Sequence, residues 1–521
     1  MYWADEIAKK IISSGKYMPF WVDDMKTPSG FAHIGSLRGP LIHSVIYRAL
    51  KDVGANVKFT FVFNDFDTAD DLPSEFKEKL SNYFGYPLNR IPSPDKNFKS
   101  LADYFSNDLR KVMEELGVEA QYLSSWKMYK DGKFDEVIKI ALDNGEKIQD
   151  IYKKISGSNK KVLGWLPFQV VCEKCGKLGT TRVFDWDGKE VSYKCEPNLV
   201  KWAKGCGHEG KISPFGGRGK LPWKVDWSAH WKVIGITIEG AGKDHASKGG
   251  SYDIAMELCD KVFNFPKPFK LPYEFILIGG KKMSSSKGVG LKAHDITKIL
   301  PPKLARFLFT RTKYKEQVNF DPLGSMAIPN LFDEYDKSWK EYINSGNENL
   351  SRSFELAQIK TVPEKKDLFI PRFRDIANYL QQPNVKLIDK FEEIKGSKLT
   401  KEESEVLKER EKYARVWLKE YAPDDFQVAM LENLPKEVKD LSIKQKEFLG
   451  KLVGLIEKTD SAEELQSKLF ELTKEINIPS LEAFSSIYLS FIGKERGPRA
   501  AWFLLSLSKD KVIKRLQEAS K

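Results

Sequence analysis

The chain has 521 residues, enough for about three or four domains at roughly 150 residues each. Hydrophobic residues make up 41% of it and aromatic residues 12%, which is typical of folded protein and excludes a disordered chain. The formal net charge of +12 favours an anionic partner, and nucleic acid is the leading class because its phosphate backbone attracts Lys and Arg.

Neither membrane insertion nor secretion is expected. The longest apolar stretches, such as Ala500–Leu507, are far shorter than the ~18 residues that a membrane span requires. The acidic residues Asp5 and Glu6 precede any apolar run, so we expect no secretory signal. The sequence therefore predicts a cytoplasmic protein with no membrane partner.

The first hundred residues have the pattern of a β-α-β unit. A short apolar run, 18–22, precedes the turn Pro28-Ser29-Gly30 and a helix with apolar residues on one face from Leu37 to Ala49. Gly54 closes that helix, and Val57–Phe63, rich in β-branched and aromatic residues, predicts a buried strand. This order indicates the start of a doubly wound parallel sheet, which binds ligands at the carboxyl ends of its strands.

A second half of the sheet is predicted further along the chain. Residues 233–239 and 273–278 have strand patterns, and residues 252–263 between them have a helical one. An insertion between about residues 95 and 220 separates the two halves. From about residue 330 onwards amphipathic helices dominate, for example over 407–421 and 481–491.

Four of the five cysteines lie within 35 residues, in the predicted insertion: Cys172, Cys175, Cys195 and Cys206. Too few cysteines are present for a disulfide framework, and paired cysteines at this spacing are typical of structural zinc in a reducing compartment. We favour Cys206 as the fourth ligand, with His208 as the alternative. The fifth, Cys259, lies in an apolar helical pattern and is expected to be a core residue.

Two loops that follow predicted strands contain residues suited to phosphate chemistry. The first is Pro28-Ser29-Gly30-Phe31-Ala32-His33-Ile34-Gly35, where small residues let a nucleotide approach the backbone and His33 can donate to a phosphate. The second is Lys281-Lys282-Met283-Ser284-Ser285-Ser286-Lys287-Gly288, whose lysines can neutralise a departing pyrophosphate.

Together these loops resemble the HIGH and KMSKS signatures of class I aminoacyl-tRNA synthetases, in order, spacing and position after strands. The fourth HIGH residue is Ser36 here, and Ser285 replaces the second lysine of KMSKS. We expect Lys287 to supply the charge that Ser285 lacks.

The resemblance to class I lysyl-tRNA synthetases covers nearly the whole chain. It includes Lys220-Leu-Pro-Trp223-Lys-Val-Asp226-Trp227, the block from Glu239 to Gly250, and Gly493-Lys-Glu-Arg-Gly-Pro498. One departure follows Asp65-Phe66-Asp67-Thr68, where the family usually has Arg-Lys soon after the acidic pair. A lysine pocket must compensate a buried ammonium, and acidic and aromatic side chains can do so.

The resemblance implies a fold, an activity and a set of site residues. The fold is α/β, with a Rossmann-type class I synthetase catalytic domain, a zinc-bearing insertion and an all-α C-terminal anticodon-binding domain. The activity is the ATP-dependent activation of lysine and its transfer to tRNA(Lys), with Mg²⁺ as a cofactor and zinc as a structural ion.

The residues expected to act in catalysis are His33, Lys282 and Lys287. Those expected to bind ATP are Pro28, Ser29, Gly30, His33, Gly35, Asp244, His245, Met283, Ser284 and Ser286. Those expected to bind lysine are Thr27, Asp65, Trp223, Asp226, His245 and Tyr273.

The expected domains follow the motifs. They are the first half of the catalytic domain (1–95), the zinc-bearing insertion (96–220), the second half with the KMSKS-like loop (221–290), a linker that contacts the tRNA stem (291–350) and the anticodon-binding domain (351–521). Two alternatives remain at this point: another class I synthetase such as a glutamyl enzyme, whose pocket would need arginine, or a tRNA-binding paralogue that no longer aminoacylates.

Overall fold

A computed structural model of the chain describes residues 1–157, 165–282, 291–382, 385–424, 426, 431, 433–459, 461–497 and 499–521. At Lys281, Lys282 and Ser506 it describes the backbone alone. The chain divides into two units, one of Met1–Phe320 with Lys337–Lys365 and one of Asp321–Asp336 with Lys366–Lys521. In the described part of the chain, no helix is both long enough and apolar enough to cross a membrane.

The first unit combines helices with short strands. Its strands are β1 (Phe20–Lys26), β2 (Val57–Phe63), β3 (Gln121–Ser124), β4 (Gln169–Val170), β5 (Thr181–Trp186), β6 (Val191–Cys195), β7 (Glu209–Ile212), β8 (Gly219–Lys220), β9 (Ile238–Gly242), β10 (Phe269–Tyr273), β11 (Ile276–Ile278), β12 (Lys281–Lys282) and β13 (Val318–Asn319). Its helices are α1 (Trp3–Ser14), α2 (Arg38–Asp52), α3 (Ser74–Lys77), α4 (Leu101–Glu115), α5 (Ser125–Lys130), α6 (Asp135–Asp143), α7 (Gly145–Ser156), α8 (Trp223–Ile234), α9 (Lys243–Ala246), α10 (Ser251–Lys261), α11 (Ile296–Ile299), α12 (Pro302–Thr310), α13 (Ala327–Ile343) and α14 (Glu348–Ala357). The residues of α13 are divided between the two units.

A five-stranded parallel sheet in the order β10-β9-β1-β2-β3 forms the centre of this unit. β1 pairs with β2 along its whole length, from Phe20 opposite Val57 to Lys26 opposite Phe63. β9 pairs with the other edge of β1. Because all the strands are parallel, their carboxyl ends meet at one edge of the sheet, where such folds bind ligands.

The predicted β-α-β unit is confirmed. β2 spans the predicted residues, and β1 begins two residues later than the apolar run indicated and continues to Lys26. The apolar face predicted for α2, from Leu37 to Ala49, is buried. Gly54 follows the helix with a φ of 81°, a conformation that glycine adopts without steric cost.

The strand predicted at residues 233–239 is wrong in its position. Residues 223–234 form α8, which begins after Pro222 and ends at Gly235, whose φ is 91°. The apolar pair Val233-Ile234 is thus the last turn of a helix, and β9 begins only at Ile238. A short apolar run cannot by itself distinguish a strand from the end of a buried helix.

The strand predicted at residues 273–278 is confirmed only at Tyr273 and at residues 276–278, and these two parts belong to different sheets. β10 ends at Tyr273, and β11 belongs to a separate sheet in which it lies between β12 and β13. The parallel strand that borders β9 therefore lies upstream of the predicted one. Pro272 lies inside it, at the edge of the sheet, where a missing N–H donor is tolerated.

The segment predicted as an insertion contributes to the central sheet. β3 pairs with β2 from Gln121 opposite Thr60, so the sheet extends past the expected boundary at residue 95. Further along this segment, β5, β6 and β7 form an antiparallel sheet, and β4 pairs with β8.

The second unit is helical in its described residues, as the sequence predicts. Its helices are α15 (Phe373–Leu380), α16 (Leu387–Lys395), α17 (Lys401–Glu420), α18 (Ile443–Lys458), α19 (Ala462–Glu475), α20 (Ser480–Ile492), α21 (Ala500–Ser506) and α22 (Lys509–Ala519). α17 and α18 each begin with a capping box, in which Thr400 or Ser442 accepts from the backbone three residues on. The expected boundary at residue 350 falls inside α14, which belongs to the first unit.

Candidate active site

A cavity of about 640 Å³ lies at the carboxyl ends of the parallel strands. Residues at the ends of β1, β2, β9 and β10 line it, together with side chains from the start of α8 and from the residues around the cysteine cluster. This is the edge at which the sequence predicts a ligand site.

Lys220 is the ionic centre of the cavity wall. Its ammonium lies 2.5 Å from an Asp67 carboxylate oxygen and 2.7 Å from one of Asp226, and its side chain is 3% exposed. The Tyr129 hydroxyl donates to the other oxygen of Asp226 over 2.5 Å. Although burial lowers the pKa of Lys220, the two carboxylates raise it above its usual value, so this lysine stays charged.

Two buried acids lie side by side beneath the cavity. The register of β1 and β9 places Asp23 beside Glu239, and the Trp227 and Trp231 indoles both donate to the Glu239 carboxyl. Burial raises the pKa of Glu239 to about 8, although the two indole donors lower it. Burial, with Glu239 as a neighbour, also raises the pKa of Asp23. Each of these buried acids thus disfavours ionisation of the other.

A buried histidine lies next to Asp24, the following acid along β1. His43 donates from Nδ1 to the Gly39 carbonyl over 2.8 Å and accepts the Gly240 N–H at Nε2 over 2.7 Å. Both ring nitrogens are thus used by backbone groups, and the Asp24 carboxylate lies 3.5 Å from Nδ1. A Cβ added to Gly39 would lie 2.6 Å from both an Asp24 oxygen and the Tyr273 hydroxyl, so glycine is needed for the close approach of α2.

The charges that line the cavity favour a cationic ligand. The charged lining side chains are Asp24, Asp67, Asp70, Asp226, Glu239, Lys26 and Lys220. Four aspartates and one glutamate thus face two lysines. Among the described residues that line the cavity there is no arginine. A cationic side chain would therefore be compensated here, whereas a carboxylate side chain would be repelled.

Aromatic rings form one wall of the cavity. Trp223 opens α8, is 45% exposed and stacks on Trp227, with the ring centroids 6.0 Å apart. The His245 ring lies edge-on to both indoles. Large flat surfaces of this kind pack against an aliphatic chain and attract an ammonium group.

Five of the six residues predicted to bind lysine line this cavity: Thr27, Trp223, Asp226, His245 and Tyr273. The sixth, Asp65, lies outside this lining, and its predicted role stays untested. Its carboxylate accepts the Ser124 hydroxyl over 2.5 Å and the Trp126 N–H over 2.7 Å at the start of α5. Asp67, two residues on, lines the cavity instead.

The HIGH-like turn lies at the border of the cavity. Ser29 lines it, whereas Pro28, Gly30, His33 and Gly35 lie outside the lining residues. A Cβ on Gly30 would lie 2.9 Å from the Pro73 ring, so a larger residue there would require a shift.

The KMSKS-like loop falls largely outside the described residues, including Met283, Ser284, Ser286 and Lys287, and Lys282 is described by its backbone in β12. The residues that follow it are adjacent to the HIGH-like turn. Ile34 N–H donates to the Leu291 carbonyl over 3.0 Å and Ala293 N–H to the Ala32 carbonyl over 2.7 Å. Asp244, on the exposed surface of α9, lies outside the cavity lining.

The four clustered cysteines converge in space. Their sulfur atoms all lie within 4.8 Å of one another, with Cys172 and Cys206 3.6 Å apart and Cys175 and Cys195 3.7 Å apart. Four thiolates about 2.3 Å from a tetrahedral zinc would be separated by roughly 3.8 Å, so the donor set fits the ion. His208 is not part of this group, which leaves Cys206 as the fourth donor among the described residues.

The geometry can be compared with known proteins. A family model described as tRNA synthetases class I (K) matches residues 1–361, and one described as an anticodon binding domain matches residues 367–520. The chain belongs to the class I tRNA synthetases (K). The HIGH-like turn and the cavity therefore lie in the part that matches the synthetase model, and the helices of the second unit lie mostly in the part that matches the anticodon binding domain.

Several relatives of this synthetase family match it from end to end. A lysine–tRNA ligase from Methanocaldococcus jannaschii is 35% identical, and the match covers 99% of both chains. One from Pyrococcus horikoshii is also 35% identical, again over 99% of both chains. One from Methanosphaera stadtmanae is 31% identical over the same shares.

Several residues that line the synthetase cavity were not predicted as site residues from the sequence. Asp24, Lys26 and Glu239 are charged residues inside otherwise apolar strands, a signal that sequence reasoning could have used. The pairing of Lys220 with Asp67 could not be inferred, because 153 residues separate the two partners.

We expect Lys220→Met to destabilise the first unit by about 3–5 kcal/mol, because it leaves two buried aspartates without their cation. Urea unfolding followed by tryptophan fluorescence measures this change. The matched control is Lys267→Met, which removes an exposed ion pair with Glu257 and should cost less than about 1 kcal/mol. Equal losses in the two variants would contradict the role of Lys220.

Proposed function

We propose that the chain is a lysine–tRNA ligase. It would activate lysine with ATP to lysyl-adenylate and transfer the lysyl group to the 3′ end of tRNA(Lys). The observation that carries the choice of amino acid is the cavity at the strand ends, where four aspartates face two lysines and no arginine is found among the described lining residues. The full-length similarity to lysine–tRNA ligases supports the same choice.

Activation needs no covalent bond to the enzyme. A carboxylate oxygen of lysine bonds to the α-phosphorus of ATP, and the bond to the bridging oxygen breaks, so that pyrophosphate leaves with the electron pair. A terminal hydroxyl of the tRNA then attacks the lysyl carbonyl, and AMP leaves. The enzyme contributes position and compensating charge, which are the main sources of rate in phosphoryl chemistry.

The lysine substrate would lie along the aromatic wall. Its aliphatic chain would pack against Trp223 and His245, and its ammonium groups would be compensated by the acids of the cavity, with Thr27 and Tyr273 as polar contacts. Asp226 would act indirectly, because its charge is already shared with Lys220. It helps to set the position of Lys220 and hence the charge of the wall.

ATP would bind at the HIGH-like turn. Pro28, Ser29, Gly30, His33 and Gly35 would hold the nucleotide, because small residues permit close approach and a histidine can donate to a phosphate oxygen.

From the second half of the unit, Asp244 and His245 would contact the nucleotide, together with Met283, Ser284 and Ser286. Lys282 and Lys287 would offset the charge on the departing pyrophosphate. Mg²⁺ would neutralise phosphate charge when bound.

The cysteine cluster would hold one structural zinc ion. Cys172 and Cys175 precede the small antiparallel sheet, whereas Cys195 ends β6 and Cys206 follows the loop after it. A single ion would thus fix the loop 196–205, in which Val200 and Trp202 line the cavity. All four positions are occupied by thiols, so the site would not be open for catalysis.

The second unit would bind the anticodon end of the tRNA. A tRNA is longer than the catalytic unit, so a second contact region is needed, and phosphate contacts with unstacked-base recognition are typical of helical RNA-binding domains. We expect the enzyme to act in the cytoplasm, and the five-domain division made from sequence stays a prediction.

ATP–pyrophosphate exchange with each of the twenty amino acids tests the proposed activity. The assay is run both without and with added tRNA(Lys). We expect exchange with lysine when tRNA(Lys) is present, and only background with glutamate, because a carboxylate side chain would meet uncompensated aspartates. A chain that exchanges with glutamate, or with no amino acid in the presence of tRNA, would show that the proposal is wrong. Binding of tRNA without any exchange would identify an inactive paralogue.

Metal analysis of purified variants tests the zinc site. We expect one zinc per chain in the wild-type protein and in His208→Asn, and loss of zinc in Cys206→Ser, because three thiolates hold the ion less tightly than four. The histidine variant is the control, since it lies two residues from a ligand. Retention of zinc by Cys206→Ser together with its loss from His208→Asn would reverse the assignment of the fourth ligand.

A further inference from the structure

Lys26 is a cation of the cavity to which no role has been given. It is the last residue of β1, is partly buried and lines the cavity. Across the described residues its ammonium forms no ion pair and no hydrogen bond. Burial lowers the pKa of Lys26, and the nearby Asp24 opposes that shift.

The contrast with Lys220 shows what Lys26 lacks. Lys220 is fully compensated by two carboxylates, as the ion pairs with Asp67 and Asp226 show. An ammonium that faces a cavity without such partners has lost part of its hydration and has gained little in return. An anionic group of a ligand would offset that loss.

The place of Lys26 on the strand indicates which anion this is. Residues two apart in a strand face the same side and lie about 6.6 Å apart, so Asp24 and Lys26 present opposite charges to the same region. An amino acid carries its α-ammonium and α-carboxylate on one carbon, and this pair of side chains matches that pattern. ATP phosphates, by contrast, are expected beside the HIGH-like turn, which lies mostly outside the cavity lining.

We propose that Lys26 binds the α-carboxylate of the amino acid substrate and holds it for attack on the α-phosphorus. This inference rests on the proposed function. Lys26 keeps its proton throughout: the carboxylate oxygen forms the new bond to phosphorus, and the pyrophosphate oxygen takes the electron pair of the bond that breaks. The charge of Lys26 orients the nucleophile, and Asp24 faces the α-ammonium.

Lysinol, in which a hydroxymethyl group replaces the carboxylate of lysine, separates this role from others. In calorimetric titrations of the full chain, Lys26→Met should weaken lysine binding by about 10–100-fold, as expected for the loss of one charge-assisted hydrogen bond. Lysinol binding should change by less than about threefold. Lys26→Arg should restore part of the lysine affinity, and Lys133→Met, which removes an exposed lysine of the same unit, should change neither.

Two results would overturn the inference. Equal losses for lysine and lysinol would make Lys26 a structural cation, and unchanged lysine affinity would leave it without a role. If Lys26→Met does not fold, Lys26→Gln, which is neutral and keeps a polar end, is titrated in its place.

A failure of the proposed function can be distinguished from a failure of the Lys26 assignment. Wild-type protein that exchanges pyrophosphate with a different amino acid would disprove the choice of lysine alone. The same comparison, made with that amino acid and its alcohol, would still test Lys26.

Discussion

The ionic contacts of Lys220 are the interaction on which the catalytic unit depends. This residue ends β8, next to the cysteine-bearing segment, and its ammonium joins Asp67, which follows β2, to Asp226 in α8. Residues 153 positions apart in the sequence are thereby held around one charge. Because the contact is mostly buried, loss of Lys220 leaves two carboxylates without their cation, which is far more costly than loss of a surface pair.

The same interaction sets the electrostatics of the site. One ammonium shared by two carboxylates leaves this part of the wall with excess negative charge. Asp24 and Asp70 add to it, and Lys26 offsets one charge. A cationic side chain is compensated in such a cavity, while a carboxylate would need arginine, which is absent from the described lining. The proposed specificity for lysine thus follows from charges that the fold itself requires.

The sequence predicted those parts of the structure that depend on local patterns. β2, the buried face of α2 and the meeting of the cysteines follow from strand composition, helical periodicity and ligand spacing. Sequence reasoning did not predict features that depend on tertiary context. Residues 233–234 form the end of α8 and not a strand, and the Asp65 carboxylate accepts a hydrogen bond from the backbone at the start of α5. The acids and lysines that face the cavity are set by long-range pairing, which a single sequence does not reveal.

Binding of a stable lysyl-adenylate analogue, in which a sulfamate replaces the phosphate, tests whether the cavity selects a cationic side chain. We expect the full chain to bind one equivalent of the lysyl compound at least about 100-fold more tightly than the glutamyl compound, because the two differ only in the side chain that the cavity must compensate. Equal affinity for the two compounds would show that the nucleotide alone is recognised. Tighter binding of the glutamyl compound would contradict the account.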